Sequence, residues 1–415
     1  LFRGYEHCED EVVVYHRLPA WAGAAVIRAA GFGLGRLRAI SLSCSLLLAA
    51  LMCLPSRGGR ASAGPAAVLL LMPVFFRFAR IYRPEAMLAL LGWTCWMTVD
   101  LSVRRRSAAA AAAGGAISGL CILSHLDGAA FAAAGVVTLA WRRKWLHSAV
   151  FAACSLLVLT PSIAHVASRT ALFAAQFSGE LAATKTSFGP FTPLLNILSE
   201  HERLFREPGM ILTTLAAASS TAFGGWRIRW RDCSWFYAFA GAAAVSLAAL
   251  SAAKGVKYGM PILPFAASEI WMAVRRMDRG VSGPKRRAVL LPVAMLAAWG
   301  LFTDARETFG PREHIQPDNA LAGDMIPDGE PCAAPFGFVF DEIEERTIHA
   351  LYLARLEGGG ALDSEGLARF VRARNTEYAV IDGYWKRQIG GAPDTALWDL
   401  VGSTPGGLEV YHLRQ

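Results

Sequence analysis

The sequence predicts an α-helical polytopic membrane protein with about ten visible spans and a small C-terminal α/β domain. Three observations predict it. The chain of 415 residues is 54% hydrophobic, with a mean hydropathy of +0.35. Ten apolar runs follow one another before Thr303 and none after it. Basic residues gather between alternate runs, as positive cytoplasmic loops do.

The runs are Ile40–Leu54, Pro65–Phe76, Ala86–Val99, Ala108–Leu123, Ala129–Trp141, Ala149–Ile163, Ile211–Phe223, Phe236–Ala253, Pro261–Val274 and Ala288–Phe302. A hydrocarbon core ~30 Å thick needs about 20 helical residues. With their flanks the runs approach that length, so residues 39–303 read as the transmembrane domain. Ala108–Ala113 reads as an Ala-rich helix start.

Charge gives the orientation. Arg57 and Arg60, Arg104–Arg106, Arg142–Lys144, Arg227 to Arg231, and Arg275 to Arg287 occupy every second connection. The other connections carry acids: Glu85, Asp127, Glu180, Glu200, Glu202 and Glu207. Both the N-terminal segment and the C-terminal domain are therefore expected outside the cytoplasm. The net charge of +8 is explained by these loops, and no nucleic-acid partner is expected. Neither a Walker A motif nor a Rossmann glycine pattern following a strand is present.

Residues 1–38 read as an outer loop. Within it, Leu18–Gly31 has the apolar face and Trp of an interfacial helix. The chain starts at Leu1 with four carboxylates in EHCEDEVVVYH, Glu6 to His16. An additional apolar run encoded just before Leu1 is expected, to export this acidic segment. Residues 168–209, about 40 in number, form an outer segment longer than a connection requires, which marks a functional loop. Residues 304–415 read as the soluble domain. In it GFVFDEIEERTIHALYLARL passes from a β-like run into a helix, LARFVRARN is helical, and YAVID and LEVYHL are strands. Cys44, Cys53, Cys95, Cys121 and Cys154 fall in apolar runs, where a thiol behaves as a small hydrophobe. Only Cys8 and Cys332 fall outside the cytoplasm by this reading, and their spacing carries no disulfide pattern.

Four outward-facing features carry possible chemistry, each with a plainer alternative. Glu9, Asp10 and Glu11 are either a solvated acidic loop or a general base for an acceptor hydroxyl. In RIYRPEAM, Pro84 and Glu85 suit the first turn of a helix; equally, Arg80, Arg83 and Glu85 crowd a mouth where an anionic lipid headgroup fits. In SHLDG, His125 and Asp127 belong to a turn or to a polar contact with a sugar or metal. In AAKGVKYGMPILPF, Lys254 and Lys257 lie on the outer side against the usual charge bias, which suggests an anionic partner. Pro261 and Pro264 are expected to bend the helix that follows. Glu269, deeper in that span, is an intramembrane acid without an evident partner.

Taken together, these pieces resemble a known family. ED-E at Glu9–Glu11, ARIYRPEAMLALL at Ala79–Leu91, GLCILSHLDG at Gly119–Gly128 and KGVKYGMPILPF at Lys254–Phe265 follow a familiar layout. It is that of the GT-C superfamily of polyprenyl-phosphate-sugar-dependent glycosyltransferases, in particular the bacterial PMT and aminoarabinose-transferase-like group. The resemblance covers nearly the whole chain and is one of layout more than of signature.

It implies a GT-C-like fold in the inner (plasma) membrane, with site and C-terminal domain outside the cytoplasm. It also implies inverting transfer of a sugar from a polyprenyl-phosphate-linked donor to a lipid, glycan or protein acceptor. Asp10 or Glu11 would be the base, with Asp10 favoured. Arg83, Lys254 and Lys257 would neutralise the departing phosphate. Glu9, Arg80, Glu85, His125, Asp127 and Tyr258 would line the substrate cavity. Some relatives hold a divalent metal nearby; Glu85, His7 and His125 could contribute, though no ligand spacing supports it. The rival reading is a lipid or solute transporter, or flippase. It would distribute charge along a path through the helices and often repeat one half in the other. A non-catalytic membrane scaffold is the third.

Overall fold

The computed structural model describes residues 16–54, 61–174, 189–223, 226–251, 254–277, 283–309, 315–335, 337–338, 345–357 and 362–414. The chain forms two compact units, one of His16–Ala167 with Ser187–Gly310, and one whose described part lies mainly after Pro311.

The first unit is helical. Its helices are α1 (Arg17–Ala30), α2 (Leu34–Cys53), α3 (Gly64–Leu70), α4 (Pro73–Ala79), α5 (Pro84–Arg105), α6 (Ala108–Ser124), α7 (Ala129–Trp141) and α8 (Trp145–Ser168). After them come α9 (Thr192–Leu198), α10 (Glu200–Leu204), α11 (Pro208–Phe223), α12 (Trp226–Leu250), α13 (Leu263–Met277) and α14 (Gly283–Phe309). Single 3-10 segments, Leu126–Gly128 and Val256–Ile262, lead into α7 and α13.

Among the described residues four helices, α2, α5, α8 and α14, are long and apolar enough to cross a membrane. Three shorter apolar stretches, Ala108–Ser124, Leu126–Trp141 and Ser234–Leu250, accompany them. The sequence places a single span at Pro65–Phe76, and there the structure differs. The run breaks into α3 and α4 because Pro73 has no N–H and pushes Met72 to an extended conformation, φ −83° and ψ 112°. Pro261 and Pro264 also act differently from expectation. The first lies within a 3-10 segment and the second in the opening turn of α13, so they shape the entry to the helix instead of bending it.

The core of this unit is an aromatic cluster joining four helices. Phe265 of α13 packs on Trp93 of α5, Phe131 of α7 and Phe236 and Phe239 of α12, with ring centroids 5.3 to 6.3 Å apart. Such tilted and offset pairs add to the plain burial of apolar area. Where α6 meets α8, the backbones nearly touch. A Cβ on Gly115 would lie 2.1 Å from the carbonyl oxygen of Phe151, so only glycine permits this crossing.

The second unit holds a five-stranded sheet in the order β2-β1-β3-β5-β4, from β1 (Cys332–Ala334), β2 (Ile348–Ala350), β3 (Tyr378–Ile381), β4 (Trp398–Ser403) and β5 (Glu409–Leu413). β1 runs parallel to β2 and β3, and β5 is antiparallel to β3 and β4. Helices α15 (Ile315–Gly323), α16 (Leu351–Glu357), α17 (Ser364–Arg372) and α18 (Gly383–Ile389) complete it. On α17, Leu367, Ala368, Phe370 and Val371 are buried, and Asp363 caps the N-terminus by accepting from the Gly366 N–H at 2.6 Å. YAVID and LEVYHL supply β3 and β5, the two strands expected there. In the GFVF-to-LARL stretch the described strand is Ile348–Ala350, immediately before α16, while residues 339–344 lie outside the described residues. Cys332 is buried in β1, and Cys8 lies outside the described residues.

Candidate functional site

The site is built where α5 begins, α6 ends and the Lys254–Ile262 segment turns into α13. Pro84 fixes the first helical φ of α5, and Arg83 before it is extended, φ −150° and ψ 151°. The backbone of Arg83 is clasped by Ser41 of α2. The Arg83 N–H donates to the Ser41 hydroxyl at 3.2 Å, and that hydroxyl lies 3.3 Å from the Arg83 carbonyl. From here the guanidinium turns back onto Glu85, Nε reaching both carboxylate oxygens at 3.1 and 3.2 Å and Nη2 one of them at 3.0 Å. Glu85 is buried, 2% exposed, whereas about a third of the Arg83 side chain meets solvent. The carboxylate thus fixes a cation at the rim.

Across from it, the turn after α6 presents His125 and Asp127. The Asp127 N–H donates to His125 Nδ1 at 3.1 Å, which leaves the neutral ring with its proton on Nε2. Burial, with the charges of Arg83 and Lys257 and the neighbouring His16 adding to it, holds the His125 pKa down at about 3. His16, stacked on that ring, is likewise lowered to about 4, mainly by burial. Asp127 moves the other way. Burial raises it to about 6, against the pull of Arg203 and Lys254. Gly128 makes the turn possible, since a Cβ there would lie 2.2 Å from the Cys121 carbonyl.

The third wall is the Lys254–Tyr258 stretch, and its two lysines do different things. Lys254 is buried, and its ammonium lies within 3.3 Å of the carbonyls of Asn196, Ala248 and Ser251 and of Glu200 Oε2. Three donors facing four acceptors leave this group engaged within the protein. Arg203 joins the same network, 1% exposed, with Nη1 3.0 Å from Glu200 and Nη2 donating to Ser251 at 2.8 Å. Lys257 is instead half-buried, with its ammonium 4.9 Å from the centre of the Tyr258 ring. Burial and the nearby Arg83 lower its pKa. The Tyr258 ring lies 5.9 Å from that of His125.

Of the residues singled out in the sequence, Arg83, Glu85, His125, Asp127, Lys257 and Tyr258 meet at this mouth, with Lys254 anchoring its wall. Arg80 turns away to pair with Glu307 on α14, beside Arg77, which binds Glu207 at 2.9 Å. Glu269 gains the partners that the sequence left unnamed: the Tyr237 and Thr221 hydroxyls donate to it at 2.8 and 3.2 Å. His7, Glu9, Asp10 and Glu11 lie outside the described residues. His16, Glu200 and Arg203 belong to the cluster without having been singled out as site residues. The i, i+3 spacing of Glu200 and Arg203 is the one local signal that could have indicated that pair. Among the described residues no three His, Cys, Asp or Glu side chains converge on a metal position. Glu85 is committed to Arg83 and His125 Nδ1 to a backbone N–H, so these residues do not fit a divalent ion as placed.

No protein-family model matches the chain, and no curated protein matches its sequence significantly. Solved structures do match its fold. The crystal structure of ArnT from Cupriavidus metallidurans bound to undecaprenyl phosphate superimposes with a TM-score of 0.58 at 17% identity, covering 97% of this chain and 88% of ArnT. The oligosaccharyltransferase AglB from Archaeoglobus fulgidus, in complex with an inhibitory peptide and a dolichol-phosphate, gives 0.56 at 13% identity. That match covers 97% of this chain and 66% of AglB. The fold is GT-C-like, and with its own membrane-length helices the chain is a multi-pass membrane protein.

Proposed function

We propose that this chain is an inverting glycosyltransferase that moves a sugar from a polyprenyl-phosphate-linked donor to an acceptor on the outer face of the plasma membrane. Two structures sharing its fold were solved with a polyprenyl-type phosphate, undecaprenyl phosphate on ArnT and dolichol-phosphate on AglB. The observation that carries the reading is the pair Arg83 and Lys257. They are partly exposed cations at one mouth, each aimed by a fixed neighbour, Glu85 or Tyr258.

A phosphate that leaves with the electron pair of the broken sugar–oxygen bond gains negative charge as the bond opens. Arg83 and Lys257 stabilise that charge where it develops. The acceptor oxygen attacks the anomeric carbon from the opposite side, and its proton goes to a carboxylate, Asp10 first and Glu11 next to it. Neutral His125 and Tyr258 offer donors to sugar hydroxyls, while Lys254, Arg203 and Glu200 keep the wall in place. Residues 304–415 are assigned to an extracytoplasmic domain, and the charge pattern of the loops supports that orientation.

Substituting Asp10→Asn and Glu11→Gln separately in the full-length protein tests the proposal, with transfer from an undecaprenyl-phosphate sugar followed by mass spectrometry of surface glycolipids. Transfer is expected to fall by at least 100-fold in one of them, in keeping with the loss of a positioned base. Unchanged transfer in both, at normal expression, overturns the assignment.

A further inference from the structure

Helices α9 and α10 are built inside out. Pro193 in the first turn starts α9, and the polar residues of the pair face the protein. Asn196 Nδ2 donates to the Ala249 carbonyl at 2.9 Å, one residue from the end of α12. The Lys254 ammonium donates to the Asn196 carbonyl at 2.7 Å and to Glu200 at 3.0 Å, and Arg203 of α10 is fully buried. The apolar residues point the other way. Phe191, Leu194, Leu195, Leu198 and Phe205 are 54 to 71% exposed, and no residue of α9 is buried. Phe191, Leu194, Leu195 and Leu198 have the i, i+3, i+4, i+7 spacing of one helix face. A helix at a water-facing surface turns that face inward instead, and so much exposed apolar surface in one place marks a contact with something apolar.

Two observations identify what covers it. The stripe continues a surface of α12, because Asn196 grips that helix at Ala249, between Val245 and Leu250, which are themselves exposed. The helix α12 is one of the apolar stretches of a multi-pass membrane protein, so α9 extends a lipid-facing surface at the end of a membrane helix. The stripe also carries no polar group, whereas a protein partner is ordinarily met by hydrogen bonds at a polar rim. Acyl chains make no such demand. We infer that α9 and α10 seat in the acyl region of the bilayer, in the leaflet on the side of the Arg83–Lys257 mouth, with membrane phospholipid against Phe191, Leu195 and Leu198. An apolar face on lipid and a polar face turned away from it are the pattern of an in-plane membrane helix. The polar face here is spent on the wall of the mouth, so the lipid seat and the Lys254–Glu200–Arg203 network are one piece. The seat does not depend on the transfer reaction.

Photo-crosslinking of the full-length protein tests this, in dioleoylphosphatidylcholine vesicles containing a trace of undecaprenyl phosphate. The photoreactive residue p-benzoylphenylalanine replaces Leu195, and adducts are weighed by mass spectrometry. Leu157, exposed on the membrane-length helix α8, is the lipid-facing reference, and Leu400, exposed on β4, is the reference off the membrane helices. Phosphatidylcholine adducts at Leu195 are expected within about threefold of those at Leu157 and at least about tenfold above those at Leu400. Leu198 should behave as Leu195 does. A yield at Leu195 no higher than at Leu400 would overturn the seat. Adducts at Leu195 with a second copy of the chain, with residues after Pro311, or with undecaprenyl phosphate in place of phosphatidylcholine would overturn it too, each naming another occupant. A thermal melt checks the fold of each labelled protein, which substitution at an exposed position should leave unchanged.

Discussion

His16 stacks on His125, with ring centroids 4.3 Å apart and planes 23° from parallel. Two imidazoles in that position cannot both be charged without burying like charges against each other and against Arg83. Both pKa values are accordingly lowered from 6.5, to about 4 and about 3. A lowered folded-state pKa means that the unfolded chain takes up protons first, so stability falls as pH drops below 6.5. Asp127, raised from 3.8 to about 6, acts in the opposite sense between those values. Two imidazoles with wider shifts outweigh one carboxyl, so the melting temperature should decline from pH 6.5 towards pH 4. H125Q should flatten that decline; an equally steep curve in H125Q would mean that the histidine pair is not its source.

Arg83 and Glu85 should separate function from stability. Arg83→Lys keeps the charge but loses the fork that Glu85 grips, and transfer should drop about 100-fold or more. Glu85→Gln leaves a buried amide against the same guanidinium, and chemical denaturation should show a loss of about 1–3 kcal/mol. An R83K protein with wild-type turnover would exclude Arg83 from the phosphate site.

The two lysines of KGVKYG should diverge. Lys254→Met strips one cation from three carbonyls and Glu200, a buried arrangement whose disruption costs about 3 kcal/mol, so detergent melts should shift markedly. Lys257→Met should melt near the wild type yet transfer sugar at least tenfold more slowly. The reverse pattern would reassign their roles.

Gly128→Ala should abolish folding of the His125–Asp127 turn. The added methyl meets the Cys121 backbone at 2.2 Å, and a peptide group cannot swing aside as a side chain can. A proteinase K digest of membranes would reveal new cleavage near this turn. An unchanged digest with normal expression would show that the turn has room to spare.

Much of this molecule is legible from its sequence because the bilayer imposes a simple rule. A run such as Ile40–Leu54 must form a helix to satisfy its backbone in lipid. RPE reads correctly as a helix start, since Pro84 and Glu85 act within one turn of each other. The strands YAVID and LEVYHL are rich in β-branched and aromatic residues, Val380 and Ile381, Val410 and Tyr411. These are local effects with a range of a few residues, and a single chain displays them directly.

Other features depend on distant neighbours. Lys254 and Lys257 are equivalent in sequence, three residues apart in one segment. Only the fold brings Asn196, Glu200 and Ala248 around the first and leaves the second at the mouth. Arg80 and Arg83 are equally close in sequence, and one is drawn off by Glu307 more than 200 residues away. His16 closes an acidic stretch in the sequence and stacks on His125 in the fold. A side chain's charge is written in its own residue, but the partner that spends or frees that charge is chosen by packing, because electrostatic contact is decided over a few ångströms of space and not over positions along the chain.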